Sequence, residues 1–193
     1  MWMLILIAVA GLFVVGVIAA ALGRRLISPA AIIVNLLLIA LIFGLGHAGS
    51  VEPGDPSGNG NPALLLTIPL LILGFTLIFQ IAWLTPFRRL RSRLLLVVLF
   101  GLLAHQAAGF EIQAMRYRQL RTRIAEALQD RTGELDAHQL ESVASGGLLS
   151  IHLNSHFFHT NTYLLFVGWA AIAAVAALLI RKAVVERQSG RIS

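Results

Sequence analysis

Five stretches of this chain carry no charged side chain, and their lengths constrain the fold more than any other feature. Residues 1–23 precede Arg24 and Arg25, and 26–51 end at Glu52. Residues 57–87 run up to Arg88, 94–110 lie between Arg93 and Glu111, and 157–180 close on Arg181 and Lys182. A helix crossing ~30 Å of hydrocarbon needs about 20 apolar residues, within a range of roughly 17–25. Each stretch meets that requirement, the fourth at its short limit. The expected fold is therefore all-α: a polytopic integral membrane helix bundle with five transmembrane helices, forming one membrane domain over residues 1–193. The spans fall at about 2–23, 29–46, 62–84, 93–110 and 161–180.

Composition removes the alternatives. Charged residues make up 12% of the chain and hydrophobic ones 58%, with mean hydropathy +0.82. A soluble domain carries roughly a quarter charged residues, and disorder requires low hydrophobicity with high net charge. There is no cysteine, which excludes disulfides, thiolate metal sites and a thiol nucleophile.

Three dipeptides locate helix starts. Ser28-Pro29, Asn61-Pro62 and Thr85-Pro86 each set a good N-cap residue before proline, whose missing N–H costs nothing at the first helical position. They place starts near Pro29, Pro62 and Pro86, the last with Phe87 to Arg93 lying at the interface. Pro69, in the first turns of the third span, is a candidate kink. The N-terminal stretch reads as a retained span rather than a signal peptide. It lacks a positive leading region, its apolar run is too long, and its arginines come afterwards.

Alternate loops divide the basic residues unequally. Arg24, Arg25, Arg88, Arg89, Arg91, Arg93, Arg181, Lys182, Arg187 and Arg191 share one side, and the other holds Arg116, Arg118, Arg121, Arg123 and Arg131. Basic loops stay in the cytoplasm, so the N-terminus is expected outside and the C-terminus inside. This is the pattern of a multi-pass cell membrane protein of a bacterial plasma or inner membrane. The high pI follows from the same asymmetry and marks no nucleic-acid surface.

Outside the spans, Glu52 to Asn61 is nearly all turn residues and reads as an irregular loop. Residues 111–160 form the one sizeable extracytoplasmic segment, expected to be helical. Tyr117, Leu120, Ile124 and Leu128 recur at helical spacing, as if the fourth span continued out of the membrane. Leu135 to Ser145 reads as a second short helix, ended by Gly146-Gly147. The segment caps its own protein or docks a partner or lipid headgroups.

No Asp, Glu, Lys or Arg lies inside a span, whereas pumps and ion-coupled transporters place such groups there. Asn35, Thr67, Thr76, Gln80 and Gln106 read as hydrogen-bonding glue between helices. Gly168, Ala170, Ala171, Ala173, Ala174, Ala176 and Ala177 make the last span a close-packing face, within the protein or against another subunit.

Histidines are the residue type with a pattern. His47, His105, His152, His156 and His159 all map to the outer membrane surface on this topology. If their segment is helical, His152, His156 and His159 share one face. Neutral imidazole is the commonest metal ligand, and three suffice for zinc with an open position. Facing histidines on different helices hold haem axially, and Glu111 lies near as a further ligand or base. Against this, histidine also suits a membrane interface, and Thr160-Asn161-Thr162 is able to cap the fifth helix and break the shared face. The leading expectation is a non-catalytic accessory or scaffold subunit of a membrane complex, in contact with the lipid bilayer and other membrane subunits. The alternative is a membrane redox or metal- or haem-binding protein built on these histidines.

The charge asymmetry makes a direct prediction about topology. Single cysteines at Asn59 and Ala137 should react with a membrane-impermeant thiol reagent in intact cells, and those at Ser92 and Ser189 should not. Strong labelling at 92 with none at 59 would invert the assignment.

Overall fold

The computed structural model describes residues 27–50, 65–86, 90–132 and 153–189. The expected first span, the start at Pro62, the loop from Glu52, the helix from Leu135 and His152 all lie outside these residues. Within them are five helices: α1 (Pro29–Ala48), α2 (Thr67–Leu84), α3 (Ser92–Thr132), α4 (Leu153–Phe157) and α5 (Thr160–Ser189). No described residue is in a strand. All but the short α4 are long and apolar enough to cross a membrane.

Helix ends show how local chemistry sets the spans. Ser28 is extended and its hydroxyl accepts from the Ala31 N–H at 3.1 Å, with Pro29 opening α1 as expected. Pro69 does not interrupt a helix interior. The described α2 begins at Thr67, so the missing N–H of Pro69 is one of the first-turn donors that have no intrahelical acceptor anyway. Thr85-Pro86, in contrast, proves to be a stop and not a start. Steric clash with proline drives the preceding residue out of the helical region. Thr85 is extended, its N–H and hydroxyl both bonded back to the Ile81 carbonyl, and α3 begins only at Ser92.

The long helices are arranged around α5, which packs along α2 and α3, while α1 packs mainly on α2. Ala170 and Ala174 of α5 are buried, Ala174 completely. The small-residue face is thus used inside this fold. At Gly168 any Cβ would collide with the Gln106 amide of α3, and that amide donates to the Leu165 carbonyl at 3.2 Å. A second polar bridge joins α1 to α2: the buried Asn35 amide donates to Gln80 Oε1 at 3.0 Å and to the Leu73 carbonyl at 3.1 Å. Such bonds between membrane helices contribute on the order of 0.6–2 kcal/mol each. At one end of the bundle Phe43 meets the rings of Phe157, Phe158, Tyr163 and Phe166 at 5.6–6.1 Å. The opposite end is tied by Lys182 donating to the Leu90 carbonyl and by the Arg181 guanidinium 5.2 Å from the Trp83 ring. Exposed Ile33, Leu37, Leu41 and Leu45 form a stripe along α1. Their fourfold spacing gives one continuous apolar face, suited to lipid.

Ala174→Leu should lower the midpoint of thermal unfolding in detergent, since overpacking a filled site costs about 1–3 kcal/mol. Ala177→Leu, on the exposed face, should leave the midpoint unchanged. Equal behaviour of the two variants would mean that α5 is not held through this contact.

Candidate functional site

A cluster of polar side chains gathers at the Phe43 end of the bundle, where α1 finishes, α4 lies across, and α3 runs past. α3 is 41 residues long without a break, or about 61 Å at 1.5 Å per residue. That is twice the hydrocarbon thickness, so the fourth span does continue outward as a helix. Its outward part carries Gln113 and Arg116 one turn apart on the face toward α4 and the start of α5. Ile124, further along, is 1% exposed, which fits the expected apolar stripe.

The chain breaks between α4 and α5 at Phe158 and His159. Phe158 is completely buried, and a Cβ on Gly46 would run into its ring. The absence of a side chain at Gly46 is what allows the ring to sit there. His159 then acts as the N-cap of α5. Its carbonyl accepts from the Tyr163 N–H at 3.0 Å, and its ring Nδ1 lies 3.4 Å from the Thr162 N–H. A histidine thus fills the capping position that Thr160-Asn161-Thr162 was expected to supply, and the single helical face for the histidines is broken.

Around this cap the bonds form one connected set. Arg116 reaches His159 Nδ1 at 3.2 Å, and Thr162 Oγ1 lies 3.2 Å from His159 Nε2. With Nδ1 receiving two donors, the proton belongs on Nε2, which donates to Thr162. The Thr162 hydroxyl points on to Gln113 Oε1 at 3.4 Å. Gln113 also accepts from Asn161 at 3.3 Å and donates to the His156 carbonyl at 2.7 Å. Asn161 spans to the Gly109 carbonyl at 3.0 Å, and the His156 ring rests 4.9 Å from that of Tyr117. Burial and the Arg116 charge lower the pKa of His159 to about 4, and burial lowers that of His156. Both rings are neutral at pH 7.

The structure brings three of the five singled-out histidines to one place. His47, His156 and His159 line a cavity of about 190 Å³ with Arg116 and Arg123. His47, Arg116 and His159 also edge a larger one of about 350 Å³ that extends down between α1 and α5 past Phe43 and Gly44. His105 stands apart. It lies beside Gly168, and on α3 it is 11 residues from Arg116, about 16 Å along the axis. Glu111 is exposed and about 140° around α3 from Arg116. Among the described residues no three His, Asp or Glu side chains are placed to hold a metal ion. The His159 Nδ1 lone pair is engaged by its cap and by Arg116, and two guanidiniums at the cavity wall repel a cation. Gln113 and Arg116 are the members that sequence reading passed over. Their signal was present, as polar residues three apart on the helix expected to emerge from the fourth span.

Compared with protein-family models, curated proteins and solved structures, the chain matches none. The described residues form an all-helical bundle in which four helices are long and apolar enough to cross a membrane.

Protonating His159 disrupts the acceptor on which both the Thr162 cap and the Arg116 contact depend. The unfolded ring titrates near 6.5 and the folded one near 4, so between these values the unfolded chain binds more protons. Stability should be full above pH 6.5 and decline as pH falls toward 4. His159→Gln should lose at least half of the drop in detergent melting temperature between pH 7.5 and pH 5. An unchanged drop would assign the pH dependence elsewhere.

Proposed function

We propose that this protein is a non-catalytic integral membrane component, acting as an accessory or scaffold subunit of a membrane assembly. On this reading it sits in a bacterial plasma or inner membrane with its histidine end outside. The observation that carries the reading is the unbroken length of α3. A 41-residue helix sends about 30 Å of rod beyond the hydrocarbon, with Arg118, Gln119, Arg121, Thr122 and Arg123 exposed along it. A projecting arm of this kind is suited to engaging another protein.

Two further observations support a binding role over turnover. The described spans hold no acidic or basic residue apart from His105 that would relay protons across the membrane interior. Their buried amides, Asn35, Gln80 and Gln106, are committed to contacts between helices. The arginine asymmetry supports the orientation, because the Arg181 and Lys182 end carries the greater share of basic residues.

A photo-crosslinking residue placed at Arg121 in native membranes should give a protein adduct of discrete mass. The same residue at Leu41, on the exposed apolar stripe of α1, should give lipid adducts. Lipid adducts alone at both positions would overturn the subunit reading.

A further inference from the structure

The 350 Å³ cavity has a polarity gradient that runs along the helix axes. Its deeper wall is apolar: Ala40, Phe43 and Gly44 of α1, with Tyr163 of α5 opposite. Its mouth is polar and carries the fixed positive charge of Arg116, which faces His47 in the last turn of α1 beside the neutral His159. Ala40 lies eight residues before the end of α1, about 12 Å below the mouth. The cavity therefore begins at the edge of the apolar span and descends into it. It exists because α5 packs along α2 and α3 while α1 and α3 make no extended contact. α4 touches both of them and closes the end.

We infer that this cleft is a binding site for an anionic, phosphate-headed membrane lipid, with the phosphate at Arg116 and an acyl chain descending past Phe43 and Gly44. Charge selects the head. Arg116 lines both cavities and Arg123 the smaller one beside it, and neither makes an ion pair with a carboxylate among the described residues. An arginine guanidinium matches phosphate geometry with paired N–H donors. The Nδ1 bond from Arg116 to His159 holds the guanidinium at the rim while leaving donors over for a ligand. Shape selects the tail. A Cβ on Gly44 meets nothing within 4 Å, so the wall is open at the depth where a chain would pass. A lipid enters such a cleft laterally, already oriented with head and tail along the same gradient. The inference is independent of the subunit reading, since it requires no protein partner.

The test uses the full chain in a neutral detergent. Probes are phosphatidylglycerol, phosphatidylcholine with the same acyl chains, oleate and inorganic phosphate, each titrated against the melting temperature and by native mass spectrometry. Phosphatidylglycerol should stabilise saturably and remain bound, at affinity at least tenfold above phosphatidylcholine. Arg116→Gln should remove that preference, whereas Arg121→Gln, which deletes the same charge from an exposed position outside the cleft, should retain it. Gly44→Leu has room to fold and fills the chain path, so it should weaken phosphatidylglycerol at least tenfold. Equal binding of the two phospholipids, or equal losses in Arg116→Gln and Arg121→Gln, would overturn the site. Oleate matching phosphatidylglycerol would reassign the head to a carboxylate, and inorganic phosphate matching it would eliminate the chain. Unaltered lipid binding by Gly44→Leu, or no binding of any probe, would likewise reject the cleft as a lipid site.

Discussion

Everything else in this structure depends on the close approach of α5 to its neighbours through residues with little or no side chain. Gly168, Ala170 and Ala174 let its backbone come near enough to α2 and α3 for a carbonyl of α5 to reach the Gln106 amide. In hydrocarbon no hydrophobic force drives helices together, so packing and interhelical hydrogen bonds must do so. Small residues provide the first and make the second geometrically available. Because α5 is held from two sides, α1 is left to lean on α2, and the opening between α1 and α3 follows directly.

The same arrangement sorts polar groups by depth. Deep amides have one partner helix each and hold it, though Asn35 Oδ1 and Gln106 Oε1 are buried with no described hydrogen-bond partner. Near the end of the bundle, Gln113 instead links the α4 backbone and the first turn of α5 to α3. His159 is the pivot of that set. It serves as a neutral acceptor for a backbone cap and for an arginine together, and desolvation keeps it neutral.

Much of the fold was legible in the sequence because charge-free length is a direct physical requirement for a span. Pro29 was readable since serine capping and proline at the first position are local effects. Thr85-Pro86 misled for an equally local reason: proline both favours a helix start and forbids helix in the residue before it, and here the second effect governs. The histidine end was legible only in part. His47, His156 and His159 do converge, but the helical face assumed for the cluster depended on Phe158 staying in register. Tertiary packing of that ring over Gly46 breaks the helix, and no local propensity encodes it. His105 does not join the other three, since it stands about 16 Å along α3 from Arg116, and hydropathy gives the length of a span without the depth of each residue in it.

The unbroken α3 gives the molecule a mechanical property. One stiff rod has its lower half gripped by α5 within the apolar layer and its upper half outside. With no proline in α3 and no helix break between the halves, rotation at one end is carried to the other. A change of about 10° in tilt would displace the outer tip by about 5 Å over its ~30 Å reach. Changes in bilayer thickness are among the forces that tilt such a helix, so the arm amplifies what the membrane does to the bundle.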